Sequence, residues 1–134
     1  MEQDDYLKRQ IDQLARILGK ILTEMLGFKN QGKVGAGIEM SIQALKDELD
    51  IDIQELIELE TSHFIPSLQT EKGFTDKALD QLAAILLAIA DNQHDGNSKK
   101  VYRKCLAIYE YLEKVDKTYS LDRYLKIDRI KKLL

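Results

Sequence analysis

Residues 12–18, Asp12-Gln13-Leu14-Ala15-Arg16-Ile17-Leu18, return at 80–86 as Asp80-Gln81-Leu82-Ala83-Ala84-Ile85-Leu86. Their apolar side chains stand three and four apart, the spacing of one α-helix face. Around the first copy that face runs through Leu7, Ile11, Leu14, Leu18, Ile21 and Met25, which predicts a long helix from Asp5 to Leu26. Asp4 or Asp5 is placed to accept its orphan N–H bonds, and Gly27 to end it in the left-handed conformation.

The second copy lies in a helix that Thr75 caps, with Asp76 in the first turn and Phe74 set to pack on Leu79. It extends to about Asp91 and is apolar nearly all round from Leu82 to Ala90, which predicts neighbours on several sides. Each copy is followed by a turn and another amphipathic helix. One carries Val34, Ile38, Ile42, Leu45 and Leu49; the other carries Val101, Tyr102, Cys105, Leu106, Tyr109, Leu112 and Val115. Gly32, Gly35 and Gly37 weaken the start of the former, and with Ala36 and Ser41 they permit another helix to approach closely.

Between the two pairs, residues 50–73 read as a short helix near Ile53 to Leu59 and then a connector punctuated by Pro66 and Gly73. A last helix, capped by Ser120, is expected to bury Leu121, Tyr124, Leu125, Ile130 and Leu134. The expectation is one all-α domain over residues 1–134, a right-handed stack of antiparallel helical hairpins with five to six helices. Hairpin one spans about 5–49, the connector 50–74, hairpin two about 76–116, and the final helix 120–134.

Residues 76–116 resemble a tetratricopeptide repeat. Leu82-Ala83 and Leu86 match its first helix, and Tyr102, Cys105 and the run Leu106-Ala107-Ile108-Tyr109 match its second. The turn from Asp91 to Asn97 is longer than that repeat has, and no proline closes the unit. The whole chain, beginning Asp5-Tyr6-Leu7-x-Arg9-x-Ile11, resembles a family of small bacterial tetratricopeptide-like proteins. That resemblance implies a bacterial cytoplasmic protein and a helical stack, and supplies no catalytic residues.

The 134 residues are 44% hydrophobic and 32% charged with a single proline, a composition that folds rather than staying disordered. A lone cysteine, Cys105, and no basic-then-apolar leader fit a cytoplasmic setting. Leu82 to Ala90 falls far short of the roughly 20 residues of a membrane span. Residues 1–75 hold 8 basic and 14 acidic side chains, net −6, against 12 and 9, net +3, in residues 76–134. Solvated helix faces account for such an imbalance.

Several motifs invite a chemical reading. Gly27-Phe28-Lys29-Asn30-Gln31-Gly32-Lys33 has phosphate-loop spacing, although Val34 stands where a magnesium-binding Ser or Thr belongs and a helix precedes it. Asp91, Asp95, Gly96 and Asn97 suggest a calcium loop, but Lys99 and Tyr102 fall at its later ligand positions. His94 lacks a nearby nitrogen or sulfur co-ligand, since His63 lies in the connector. Cys105 stands on an apolar face with nothing to acidify it. Asp47, Glu48, Asp50, Asp52, Glu55, Glu58 and Glu60 read as a solvated face rather than acid–base pairs.

Lys99, Lys100, Arg103, Lys104, Arg123, Lys126, Arg129, Lys131 and Lys132 would form a basic strip suited to nucleic acid, but interspersed Asp116, Asp122 and Asp128 favour ion pairing. Five of six tyrosines fall between Tyr102 and Tyr124. Of these, Tyr111 and Tyr119 are the candidates for exposed contacts. The expectation is a non-enzymatic protein-interaction module, with no catalytic, cofactor or metal residues assigned, binding an unidentified protein or peptide. A homodimer through Ile17, Leu22 and Leu26 is a further possibility. The alternatives are nucleic-acid binding through the basic strip and, behind it, a nucleotide-binding enzyme.

Overall fold

The computed structural model describes residues 2–93 and 96–134, with side chains from Lys8 onward. Among these residues the chain is all-α, with seven helices and no strand. They are α1 (Glu2–Asn30), α2 (Val34–Leu49), α3 (Ile53–Glu58), α4 (Thr61–Glu71), α5 (Asp76–Asp91), α6 (Ser98–Val115) and α7 (Leu121–Leu133).

Helix α5 is the centre, as its all-round apolar sequence requires. Leu79, Leu82, Ala83, Ile85, Leu86, Ile89 and Ala90 are all buried. Thr75 caps it by accepting from the Ala78 N–H at 3.2 Å, and Phe74 is buried just before the cap. Its most extensive contacts are with α6 and then α1. The pairing with α6 is antiparallel: Tyr102 reaches Asp91, whereas Cys105 meets Ala83.

Helices α1 and α5 lie side by side in the same direction. Gln81 Nε2 donates to the Ala15 carbonyl at 3.1 Å, and further along Met25 and Leu26 share a cleft with Ala88 and Asp91. The two copies of the repeated heptapeptide are therefore neighbours. Leu14, Leu18, Ile21 and Met25 of α1 are buried as their spacing predicts, whereas Ile11 is exposed.

The end of α1 departs from expectation. Gly27 stays helical, the helix runs on to Asn30, and Gly32 takes the left-handed conformation with φ of 72°. Helix α2 then folds back antiparallel. Its buried positions are the small Gly37 and Ser41 with Leu45, while Val34, Ile38, Ile42 and Leu49 are half-buried. A Cβ on Gly37 would stand 2.9 Å from the Phe28 Cβ, so this glycine does permit close approach; Gly35 has nothing within 4 Å.

Residues 50–73 hold more helix than their punctuation suggests. Asp50 turns the chain in the left-handed region (φ 53°), and Asp52 caps α3 by accepting from Gln54 and Glu55. Helix α4 continues through Pro66 and buries Phe64 and Leu68. Ser62 and Pro66 are both exposed, so the hydrogen bond that proline forfeits lies on the hydrated side, where water can replace it. Both α3 and α4 pack on α6.

Helix α7 runs antiparallel to α6 but is rotated from the expected orientation. Ser120 caps it, accepting from Arg123 N–H at 3.2 Å, yet the buried residues are Arg123 and Ile130. Leu121, Tyr124, Leu125 and Leu134 are exposed. Ion pairing explains the rotation. Arg123 Nε donates to Glu113 at 2.6 Å and its Nη2 to Asp116 at 3.2 Å, while Arg129 forks onto both oxygens of Asp91 at 3.0 Å.

Candidate functional site

The α1–α2 turn and the end of α5 share one end of the molecule, where Leu22, Met25, Leu26, Val34, Ile38 and Ala88 line a cleft of about 410 Å³ with Lys29, Asp91 and Asn92 at its polar margin. Two of the sequence motifs meet here. The phosphate-loop spacing does not make a phosphate cradle: the amides of Gln31, Gly32 and Lys33 donate to the carbonyls of Gly27, Phe28 and Lys29 and so terminate α1. Asp91 is engaged by Arg129 and accepts the Tyr102 hydroxyl at 2.6 Å. Burial, then that bond to Asp91, pushes Tyr102 up to about 12, while the bond to Asp91 raises Arg129. His94 and Asp95 lie outside the described residues.

His63 stands exposed on α4, 4.0 Å from Glu60, and no group of three metal-ligating side chains occurs among the described residues. Cys105 is fully buried, its Sγ 3.7 Å from the Ala83 carbonyl, and burial raises its thiol pKa far above the ordinary value. Several acidic residues of α2 to α4 are engaged by other side chains of the chain. Asp47 accepts from Gln43, Asp50 lies near Lys46 and Lys72, and Glu58 pairs with Lys100 at 2.7 Å.

The basic strip is dispersed in the same way. Lys100, Arg123, Lys126, Arg129 and Lys132 are in ion pairs. Lys104 is buried with its ammonium 5.7 Å from the centre of the Phe64 ring, and desolvation lowers its pKa against the opposing pull of Glu58. Lys99, Arg103 and Lys131 have no ion pair among the described residues.

Two apolar surfaces remain. Between α4 and α6 an open groove is lined by Ile65, Pro66, Ala107, Tyr111 and Val115, and Gln69 Nε2 donates to the Tyr111 hydroxyl at 2.9 Å across it. Tyr111 is thus half-buried and held, not free. The other is the outer side of α7 with Tyr119 just before it. Sequence periodicity missed this surface because it assigned Leu121, Tyr124 and Leu125 to the core; the signal that would have found it is Arg123, spaced to reach Glu113 and Asp116. Ile17 and Leu22 of the proposed dimer face are half-covered by the chain's own core, which leaves only Leu26 exposed.

No helix among the described residues is long and apolar enough to cross a membrane. Compared with known proteins, the chain matches no family model, no curated sequence and no solved structure.

Proposed function

We propose that this chain is a non-enzymatic protein-binding module built as a right-handed stack of tetratricopeptide-like hairpins, α1–α2 and α5–α6, working in a bacterial cytoplasm. The parallel neighbours α1 and α5 support the stacking, since first helices of successive hairpins meet in this way. Helix α7 packs antiparallel on α6 and continues the series of antiparallel neighbours.

One observation carries the binding role. Helix α7 is held by Ile130 together with Arg123 and Arg129, and Leu121, Tyr124 and Leu125, with Tyr119 just before the helix, face solvent. Tyrosine and leucine on a rigid helix offer contact area at small entropic cost. Nucleic-acid binding is the weaker reading, because cations already paired to carboxylates release few counterions. Affinity purification from the native cell, followed by reconstitution from purified components, tests the role. A stoichiometric protein that binds the isolated chain is the expected result, and reproducible absence of one refutes it.

A further inference from the structure

Apart from the protein-binding role, we infer that the cleft between α1, α2 and α5 binds a small amphipathic carboxylate, its apolar tail among the aliphatic side chains and its carboxylate on the Lys29 ammonium. At about 410 Å³ the cleft falls within the roughly 300–1,000 Å³ of small-ligand sites and, like them, is lined chiefly by apolar side chains with a few polar ones. It exists because two lining positions are small: Gly37 on α2, where Phe28 leaves no room for a Cβ, and Ala88 on α5. Leu22, Met25, Val34 and Ile38 stand around them. Leu26, also lining the cleft, is 56% exposed and would give up water contact to an apolar tail.

Hydrogen-bonding capacity selects the head group. Only Lys29 and Asp91 among the lining residues are charged. Asp91 is already spent: its two oxygens receive Arg129 at 3.0 Å, and Oδ1 also accepts the Tyr102 hydroxyl at 2.6 Å. Helices α1 and α5 both end here, and their last carbonyls are occupied as well. Those of Gly27, Phe28 and Lys29 accept from Gln31, Gly32 and Lys33, while those of Ala88, Ile89 and Ala90 accept from Asn92 and Gln93. Donors are what remains. The Lys29 ammonium has no ion pair or hydrogen bond among the described residues, and α2 starts at the cleft with no side-chain cap and no acid in its first turn. A ligand cation would meet Lys29 and find no free carboxylate, whereas a carboxylate meets an unpaired ammonium beside apolar walls. One lysine balances one charge, which fits a monocarboxylate better than a phosphate ester of about −2.

The test uses the full chain with isotope-labelled methyl groups and three probes of one tail length: decanoate, decanol and decyltrimethylammonium, each kept below its micelle concentration. Decanoate is expected to bind saturably at one site and to shift the methyl resonances of Leu26, Val34 and Ile38. It should bind about tenfold more tightly than decanol, and more tightly still than the ammonium. Lys29→Gln, at an exposed position that leaves the fold intact by circular dichroism, should lower decanoate to the affinity of decanol without moving that of decanol, and Lys29→Arg should keep the preference. A Lys29→Gln protein that still prefers decanoate, equal binding of decanoate and the ammonium, shifts at Leu121 and Leu125 of α7 instead of the cleft, or no saturable shifts would each overturn the inference. The protein-binding role is decided separately, by the native-partner experiment.

Discussion

Replacing Gly37 by alanine measures how closely α1 and α2 approach. The added Cβ would lie 2.9 Å from the Phe28 Cβ and 3.4 Å from its Cγ. The nearer atom is fixed to the α1 backbone and cannot swing away as the end of a long side chain can. Alanine is favoured over glycine inside a helix by about 1 kcal/mol, whereas overpacking a fitted contact costs about 1–3 kcal/mol. Cost exceeds gain, and the net loss is about 1 kcal/mol. Gly35→Ala on the same helix meets nothing within 4 Å and so carries the gain alone, roughly 0.5 kcal/mol in a first turn. Guanidinium unfolding followed by circular dichroism should lower the midpoint for the first variant and raise it for the second, at unchanged slope. Phe28→Ala should not rescue Gly37→Ala, because alanine keeps the Cβ. A Gly37→Ala protein as stable as the parent would refute the close approach.

Four further outcomes follow from named contacts. Arg123→Ala should cost about 1–2 kcal/mol and loosen α7 first, seen as faster hydrogen exchange of its amides, since two charged bonds disappear while Glu113 and Asp116 stay partly hydrated. Tyr102→Phe should cost about 1 kcal/mol through its lost bond to Asp91, whereas Tyr109→Phe should be neutral or stabilising, because that buried hydroxyl has no partner among the described residues. Tyr102 keeps its proton more tightly folded than unfolded, so its contribution is complete below about pH 10 and is lost as pH rises toward 12; alkaline unfolding of Tyr102→Phe should be correspondingly less steep. Asp50→Gly should stabilise by about 0.5 kcal/mol, because glycine accepts φ 53° freely and the exposed pairs with Lys46 and Lys72 are worth little, and thermal denaturation reads the shift.

The helical elements were legible wherever the deciding signal lies within the helix itself. The spacing of Leu14, Leu18, Ile21 and Met25, the Thr75 and Ser120 caps, and the all-round apolar α5 each encode their outcome locally. Three features depended on tertiary context. Gly27 and Gly32 both suit a helix end, and the later one places Phe28 against Gly37 of α2, a contact outside the local sequence. Pro66 reads as a break unless its side of α4 is known to be wet. The orientation of α7 turned on Arg123 and Arg129, whose partners Glu113, Asp116 and Asp91 all lie outside α7; apolar periodicity gives no weight to such pairs. That same blind spot concealed the exposed outer side of α7. The two chemical motifs were visible as spacings, but the Gln31–Lys33 amides and the Asp91 carboxylate turned out to be occupied by the chain itself.

The bond from Gln81 to Ala15 joins residues 66 apart, whereas α5 and α6 close across one short turn. During synthesis, α1 and α2 leave the ribosome well before the helix that shelters them has been made. Leu14 and Leu18 must wait uncovered on that side until α5 arrives, and the intervening α3 and α4 set the length of the wait. Nascent chains stalled before residue 81 are therefore the form of this protein most prone to clump or to recruit a chaperone.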